Sequence, residues 1–561
     1  MSVDIKIPPF EHTPIDSIPK LAAEVRETFR SNKTKDVEWR LVQLRKLWWG
    51  LNDNTGKLQA ALKKDLNKSL FESTFSEINF QMQDLNICLK NLKTWAKDDN
   101  RDLDYALSFA PLRPRVRKEP LGSALIIGPY NFPLVLIIGP LVGAIAAGCT
   151  AILKPSESAP ATAVVVKEIV EGYLDTSAFK VVLGAIPETT ALLDQKWDKI
   201  FYTGNPAVAR IISRKAAENL TPVTLELGGR NPAFITRSAD LALAARRLLW
   251  GKTLCAGQVC MSQNYVLVER GVVDDFVEHL NAAYKHFFPG GAKASPDYTR
   301  IINERQFDRI KKMLDSTRGR IVMGGETDRS DRFIAPTVVL IDSADDPMMQ
   351  EESFGPVWSI LPYDDLDEAI RTVNKVDSTP LSLMSFGSKS ENEKILSCIT
   401  SGGASFNDAY MHGSVAGLPF GGVGESGTGA YHGRASFECF THRRTVVDVP
   451  GRWMDRLLRV RYPPYSFRNL RFYEWMNGVR PDFDRDGRPV RDLRYWVGLV
   501  LGLGGDGAKA ALLRWVLLLV TGYGYLAAAS GDSTRYGGGA VGGYLAAFKG
   551  TLLGAFGTAR A

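Results

Sequence analysis

Between Arg117 and Glu226 the chain alternates short apolar runs with stretches of helical periodicity, and this alternation limits its folds more than any other feature. Ser123–Ile127, Thr150–Leu153, Lys180–Leu183, Lys199–Tyr202 and Thr221–Leu225 read as strands with helices between them. Strands joined through helices cannot pair as hairpins. The βαβ order needs crossovers, and therefore a largely parallel, doubly wound sheet. A second α/β series runs from Asn231 to about Ala404, with strands near Ala233–Ile235, Tyr265–Val268, Arg332–Leu340 and Val357–Leu361. Residues 18–100 read as helical: Leu41, Leu44, Leu47 and Trp48 recur at helical spacing, as do Leu58, Leu62 and Leu66.

A chain of 561 residues is expected to form two or three domains around large cores. Apolar content of 45% and charge of 23% are ordinary for a soluble globular protein. A net charge of +7 is small for this length, and the body of the chain has no basic cluster interleaved with aromatics, which argues against a nucleic-acid partner. The six cysteines are too scattered for a disulfide framework. Cys255 and Cys260 lack accompanying histidines, so no metal is expected, and a reduced compartment is implied. Met1–Phe10 has two prolines and no apolar core of a signal peptide.

After Pro450 the composition changes. Arg452–Arg494 holds eleven Arg against six Asp or Glu, and glycine-rich apolar runs follow, among them Ala510–Gly531. Trp515–Gly531 is seventeen residues without a charge, near the lower limit for crossing a bilayer. The basic stretch before it suits an anionic cytoplasmic leaflet. A single crossing, a membrane hairpin and interfacial helices stay open as alternatives.

The chemistry concentrates in three places. Ala256-Gly257-Gln258-Val259-Cys260 offers a small, glycine-loosened approach to one thiol, as a nucleophile requires, with its own main-chain N–H beside the sulfur. A buried core cysteine is the alternative for Cys260, and Cys255 reads as structural. Glu226, in Leu225-Glu226-Leu227-Gly228-Gly229, is flanked by apolar and small residues. It is a candidate for a raised pKa and general-base work. Asn131, between the prolines of Pro129-Tyr130-Asn131-Phe132-Pro133, is rigid enough to serve as an oxyanion donor. Thiol, carboxylate and fixed amide together suggest an acyl-enzyme mechanism. His412 and His432 pair with no nucleophile in sequence and read as structural. Gly422-Val423-Gly424-Glu425-Ser426-Gly427 fits a dinucleotide-loop pattern but lacks the strand before it and the βαβ unit after it, so it reads as a tight turn.

Further motifs complete the picture: Lys154-Pro155-Ser156-Glu157, Phe201-Tyr202-Thr203-Gly204-Asn205, Glu352-Ser353-Phe354-Gly355-Pro356, Leu418-Pro419-Phe420-Gly421-Gly422 and Arg461-Tyr462-Pro463-Pro464-Tyr465. In this order, from about Lys20 to about Ser466, they resemble the aldehyde dehydrogenase superfamily, and in wording its class 3, the fatty aldehyde dehydrogenase branch. The resemblance implies an α/β fold with two doubly wound domains, a bridging β-arm and a C-terminal membrane-associated tail. It divides the chain into a cofactor-binding domain (1–100 and 116–227), a catalytic thiol domain (228–420) and a bridging, oligomerising region (101–115 and 421–450). A basic linker (451–492) and the apolar tail (493–561) follow.

The implied reaction oxidises medium- or long-chain fatty aldehydes to acids through a thioester on Cys260, hydrolysed by water that Glu226 activates. Short or aromatic aldehydes handled by a soluble enzyme, and an inactive membrane scaffold, are the competing readings. The resemblance implies NAD as cofactor, with NADP possible. Lys154 and Glu157 would hold the adenosine ribose, where an anionic Glu157 repels a 2′-phosphate. Gly204 and Asn205 would lie under the pyrophosphate, with Ala209 replacing the usual glycine, so that one added methyl would crowd the phosphates. Glu352 and Phe354 would position the nicotinamide ribose and ring, and Tyr130 stands where tryptophan is usual. A lipid-derived aldehyde, the membrane and a second copy of the chain are the implied partners. The implied location is a membrane, with the catalytic domain facing the cytoplasm, or else the soluble cytoplasm.

Overall fold

The computed structural model describes residues 5–100, 107–477, 481 and 483–490. The tail expected to associate with membranes lies outside the described residues. Among those residues, no helix is long and apolar enough to cross a membrane.

Residues 1–98 and 117–444 form one compact unit containing two sheets. The first has six strands in the spatial order Gly427–Thr428, Val223–Glu226, Lys199–Thr203, Ser123–Ile127, Thr150–Lys154 and Phe179–Val181. All its pairings are parallel except that of Gly427–Thr428, which runs antiparallel to Val223–Glu226. Four of the parallel strands are each followed by a helix, as the βαβ alternation requires, while Val223–Glu226 leads through a short loop into Pro232–Ile235 of the second sheet. The helix Val135–Ala147 is buried on every side, and Gly148, at φ 92°, ends it in a left-handed conformation that favours glycine. Its all-apolar sequence fits a position enclosed in the main core with residues of the N-terminal helices.

The second sheet has seven strands in the order Gly403–Phe406, Ser382–Phe386, Pro232–Ile235, Tyr265–Glu269, Val357–Tyr363, Thr337–Leu340 and Arg320–Met323. The single strand expected over Arg332–Leu340 is two. Phe333–Ile334 pairs with Thr327–Asp328, and Thr337–Leu340 joins the sheet. Pro336 stands between them without an N–H to offer a ladder. Two strands of this sheet, Ser382–Phe386 and Gly403–Phe406, carry too many serines and glycines to show an apolar run. Ser382 is accommodated by its N–H donating to Asn231 Oδ1 at 2.8 Å, and Ser385 by its hydroxyl donating to Asn392 Oδ1 at 2.6 Å.

The helical N-terminal region runs through Ile18–Arg30, Val37–Asp53, Thr55–Leu66, Leu70–Ser73 and Asn79–Trp95, interrupted by a π-helical turn at Thr74–Ile78. Arg115–Pro120 and Thr441–Val446 form a two-stranded ribbon. The Gly422–Gly427 motif is a tight turn, and Gly427 pairs directly with Glu226. That strand, assigned to the bridging region by sequence, is thus an edge of the first sheet.

Residues 99–116 and 445–561 form a second unit. Its described part includes a short 3-10 helix, Leu107–Leu112, and the helices Arg452–Leu458 and Phe467–Asn477. Much of the stretch expected as a linker is therefore helical. Trp453, Tyr465 and Phe467 stand exposed beside its arginines.

Candidate active site

Parallel strands deliver their following residues to one edge of a sheet. At the carboxyl edge of the first sheet, Glu226 and Thr203 are register partners, and so are Ile127 and Lys154. Glu226 and Lys154 thus sit on strands three places apart, about 14 Å at the usual strand spacing. The chain leaving Ile127 leads at once to Tyr130 and Asn131. This is where open α/β sheets bind ligands.

Glu226 closes its strand and is 2% exposed, with neither carboxyl oxygen hydrogen-bonded. Burial raises its pKa well above the ordinary value. Cys260 is partly exposed, and the backbone N–H groups of Cys260 and Met261 face its sulfur. Burial pushes this thiol up to about 12, and the carboxyls of Glu352 and Glu226 push in the same direction. Both glutamates therefore lie within electrostatic reach of the sulfur. The thiol is protonated at rest, and its activation must be coupled to proton removal.

The approach to Cys260 is left-handed over three residues, with φ 48° at Cys255, 47° at Ala256 and 71° at Gly257. A Cβ on Gly257 would lie 2.1 Å from the Gly355 carbonyl oxygen, so the nucleophile loop packs against the Glu352–Pro356 loop with no room for a side chain. Strain of this kind concentrates at working sites. Asn231 then steadies the thiol segment, its amide donating to the carbonyls of Cys260 at 2.8 Å and Ser262 at 3.0 Å.

Asn131 is 2% exposed and donates through Nδ2 to the Gln258 carbonyl at 2.8 Å. That bond fixes the amide two residues from the thiol in sequence and leaves its second N–H for an oxyanion. Tyr130 meets Phe354 edge to face at 6.0 Å, which joins the asparagine motif to the Glu352 motif.

Glu352 lies over the Gly228-Gly229 turn, where a Cβ on Gly228 would stand 2.5 Å from its carboxyl. Lys252, invisible as a site residue in the sequence, is buried between the two loops. It donates to Ser262 Oγ, the Gln263 carbonyl and Ser353 Oγ at 3.2, 2.7 and 3.1 Å. Burial pulls its ammonium down to about 7 and pushes the Glu352 carboxyl up to about 7, and each partly restores the other's charge.

Of the residues expected to hold a dinucleotide, Lys154, Glu157, Gly204 and Asn205 lie at or just beyond the same edge, while Ala209 lies inside the following helix and Glu352 and Phe354 in the loop before Val357–Tyr363. Lys154 ends its strand, buried, with its ammonium 2.8 Å from Glu157 Oε2. Gly204-Asn205 leads into the thirteen-residue helix Pro206–Glu218, whose N-cap Asn205 accepts from the Val208 N–H. A Cβ on Gly204 would stand 2.2 Å from the Tyr202 hydroxyl. The Thr203 hydroxyl beside it is buried without a partner. A helix N-terminus, an unspent hydroxyl and an ammonium–carboxylate pair fit a pyrophosphate and its ribose. Ala209 is buried, and its methyl joins the core around Ile212 and Leu192.

A largely apolar cleft opens onto Cys260, walled by Phe80, Phe132, Tyr410, Phe420 and Tyr431. His432 also lines it, both ring nitrogens buried and unpaired, although it read as structural in sequence. Burial lowers its pKa to about 3, so the ring is neutral. His412 does hold structure: its ring nitrogens meet Ser382 Oγ at 3.2 Å and Ser405 Oγ at 2.7 Å. No sequence periodicity reports a contact such as that of His432, because it depends on how distant turns meet.

The chain is similar to known proteins over most of its length. The aldehyde dehydrogenase family model matches residues 7–446. A beta-apo-4'-carotenal oxygenase of Neurospora crassa is 57% identical over 525 residues, 93% of this chain and 98% of that protein. Aldehyde dehydrogenase family 3 member B1 of Rattus norvegicus is 42% identical, covering 82% of this chain and 97% of its own. Among solved structures, a substrate-bound Staphylococcus aureus AldH superposes with a TM-score of 0.77 at 36% identity, over 82% of this chain and 99% of that one.

Proposed function

The chain belongs to the aldehyde dehydrogenase family, and we propose on that premise that it oxidises long, apolar aldehydes to carboxylic acids through a thioester on Cys260. The observation that carries the reading is the cleft of aromatic and aliphatic side chains opening onto a thiol within electrostatic reach of Glu226 and Glu352. The aldehyde carbon bonds to Cys260 Sγ as the thiol proton passes to a buried carboxylate. Glu226 is the carboxylate we assign, because its ionised form has no hydrogen bond to satisfy it and gains most from a proton. The oxyanion is held by Asn131 Nδ2–H and the Cys260 N–H, donors of a kind worth about 3–4 kcal/mol each in acyl transfer. NAD, when bound, supplies the hydride acceptor. Lys154 and Glu157 would bind its adenosine ribose, and the Gly204-Asn205 helix start its pyrophosphate. Glu226 gives up the thiol proton to solvent before the second half-reaction, and then accepts a proton from the water that cleaves the thioester.

The negative charge of Glu157 favours NAD over NADP. A conjugated polyene aldehyde is the second reading, supported by the printed name of the Neurospora crassa relative and by the ring-lined wall of the cleft. Membrane association through residues 493–561 and pairing with a second copy of the chain belong to the same proposal. The exposed aromatics and arginines of Arg452–Asn477 support the membrane part.

The test is kcat/KM for benzaldehyde and for a series from short alkanals through hexadecanal to an apocarotenal, each with NAD and with NADP. Rising kcat/KM with length, and preference for NAD, are expected; a flat series, or a maximum at benzaldehyde, overturns the substrate assignment. Cys260→Ala is expected to lose several powers of ten in turnover while NAD affinity is unchanged. Retained turnover would remove Cys260 from the mechanism.

A further inference from the structure

Two fully buried charges, Lys68 and Glu77, take no part in the chemistry above, yet they adjoin its oxyanion donor. Their ammonium and carboxylate meet at 2.6 Å, and both side chains have no exposure. Lys68 Nζ also donates to the main-chain carbonyl of Asn131 at 2.8 Å and lies 4.1 Å from the centre of the Phe132 ring. Glu77 Oε2 accepts from the N–H groups of Leu134 and Val135 at 3.0 and 3.3 Å. The pair thus grips the segment 131–135 from both ends. Glu77 comes from the π-helical turn Thr74–Ile78, a local irregularity often found at functional sites.

The same cluster reaches the nucleophile loop. The Cys255 thiol donates to the Asn131 carbonyl at 3.2 Å, so that one oxygen accepts two bonds and its peptide plane is held. The Cys255 N–H donates to Glu72 Oε1 at 2.7 Å, and Thr299 occupies the other oxygen of Glu72. Gln258, whose carbonyl holds the Asn131 amide, is itself tied down. Its Nε2 donates to the carbonyls of Cys255 and Arg300, and its Oε1 accepts from the Ile302 N–H. A buried ion pair is a poor source of stability, since well-packed apolar residues often serve as well. Its distinctive use is to place groups. Here it places the carbonyl side of the residue whose amide must face the reacting oxygen.

We propose that Lys68 and Glu77 are positioning residues for the oxyanion site, locking the Asn131 backbone so that its amide points at the developing charge. The proposal rests on the oxyanion role assigned to Asn131. A misplaced donor weakens the first chemical step, acylation, and leaves cofactor binding alone.

The experiment is a double-mutant cycle read as the NADH burst rate, with NAD affinity measured alongside. Lys68→Met and Asn131→Ala are each expected to slow the burst about 10²–10³-fold. They should leave NAD affinity unchanged, and the double variant should be no slower than Asn131→Ala. Should Lys68→Met alone fail to fold because Glu77 is left unpaired, Lys68→Met with Glu77→Gln, which leaves no lone charge, is read in its place. Multiplying effects in the double variant, or a Lys68 variant as fast as wild type while Asn131→Ala is slow, overturn the positioning role alone. A normal burst in Asn131→Ala overturns the oxyanion reading, and the proposal with it.

Discussion

A carboxyl that is 2% exposed and unbonded, as Glu226 is, holds its proton well above the ordinary range. Its folded pKa is raised above the unfolded value, so its contribution to stability is greatest below that value. The contribution is lost as pH rises from about 4.5 toward the folded pKa, at about 1.4 kcal/mol per unit. Glu226→Gln removes this titration. The variant is therefore expected to gain stability relative to wild type as pH rises, in urea melts at pH 4.5 and pH 8.5. Its kinetics should show a slowed NADH burst and overall turnover down about 10²–10⁴-fold, since an amide accepts a proton neither from the thiol nor from water. An intact burst would remove Glu226 from activation of the thiol and leave it only the water. The leucines and glycines around Glu226 are local, so its burial was legible in the sequence. The facing of Glu352 toward Cys260 was not, because 91 residues and a sheet edge lie between them. Neither was the cleft position of His432.

At the scale of elements, the strand carrying Glu226 is held on its outer side by only two residues, Gly427 and Thr428. Gly427 has φ 139°, and a Cβ there would stand 2.0 Å from the Leu225 carbonyl oxygen. Gly427→Ala is expected to cost about 1–3 kcal/mol in urea melts. It should slow thioester hydrolysis more than it weakens NAD binding, because Lys154 sits three strands away. Equal losses in both would mean that the whole sheet yields. The parallel strands of this sheet were legible because their faces are buried and their runs apolar. Gly427–Thr428 was not, because a two-residue edge strand of glycine and threonine has no pattern to read. The GxGxxG-like motif containing Gly427 was set aside as a dinucleotide loop for want of βαβ context, and it is indeed a turn. Ser382–Phe386 escaped for another reason: its serines are paid for by tertiary hydrogen bonds that no local window contains.

Across the whole molecule, every residue assigned to chemistry lies before Pro450, while the basic and apolar segments follow it. Removing residues 493–561 is expected to release the protein from membranes and lower kcat/KM for long aldehydes, leaving short, water-soluble ones unaffected. Fractionation and paired kinetics check this; a truncated protein that still pellets, or that loses both substrates equally, counts against the anchor. The sequence by itself determined the parallel βαβ architecture and the family, and it singled out the thiol, carboxylate and amide as candidates, because these rest on local periodicity and on residues whose neighbours in sequence are their neighbours in space. Only the tertiary structure decided how the amide is aimed and which charges face the thiol. Lys68, Glu77, Gln258, Lys252 and Glu352 meet the segments that carry Asn131 and Cys260 through packing of distant loops, where burial and hydrogen-bond satisfaction are set by the assembled core rather than by any stretch of chain.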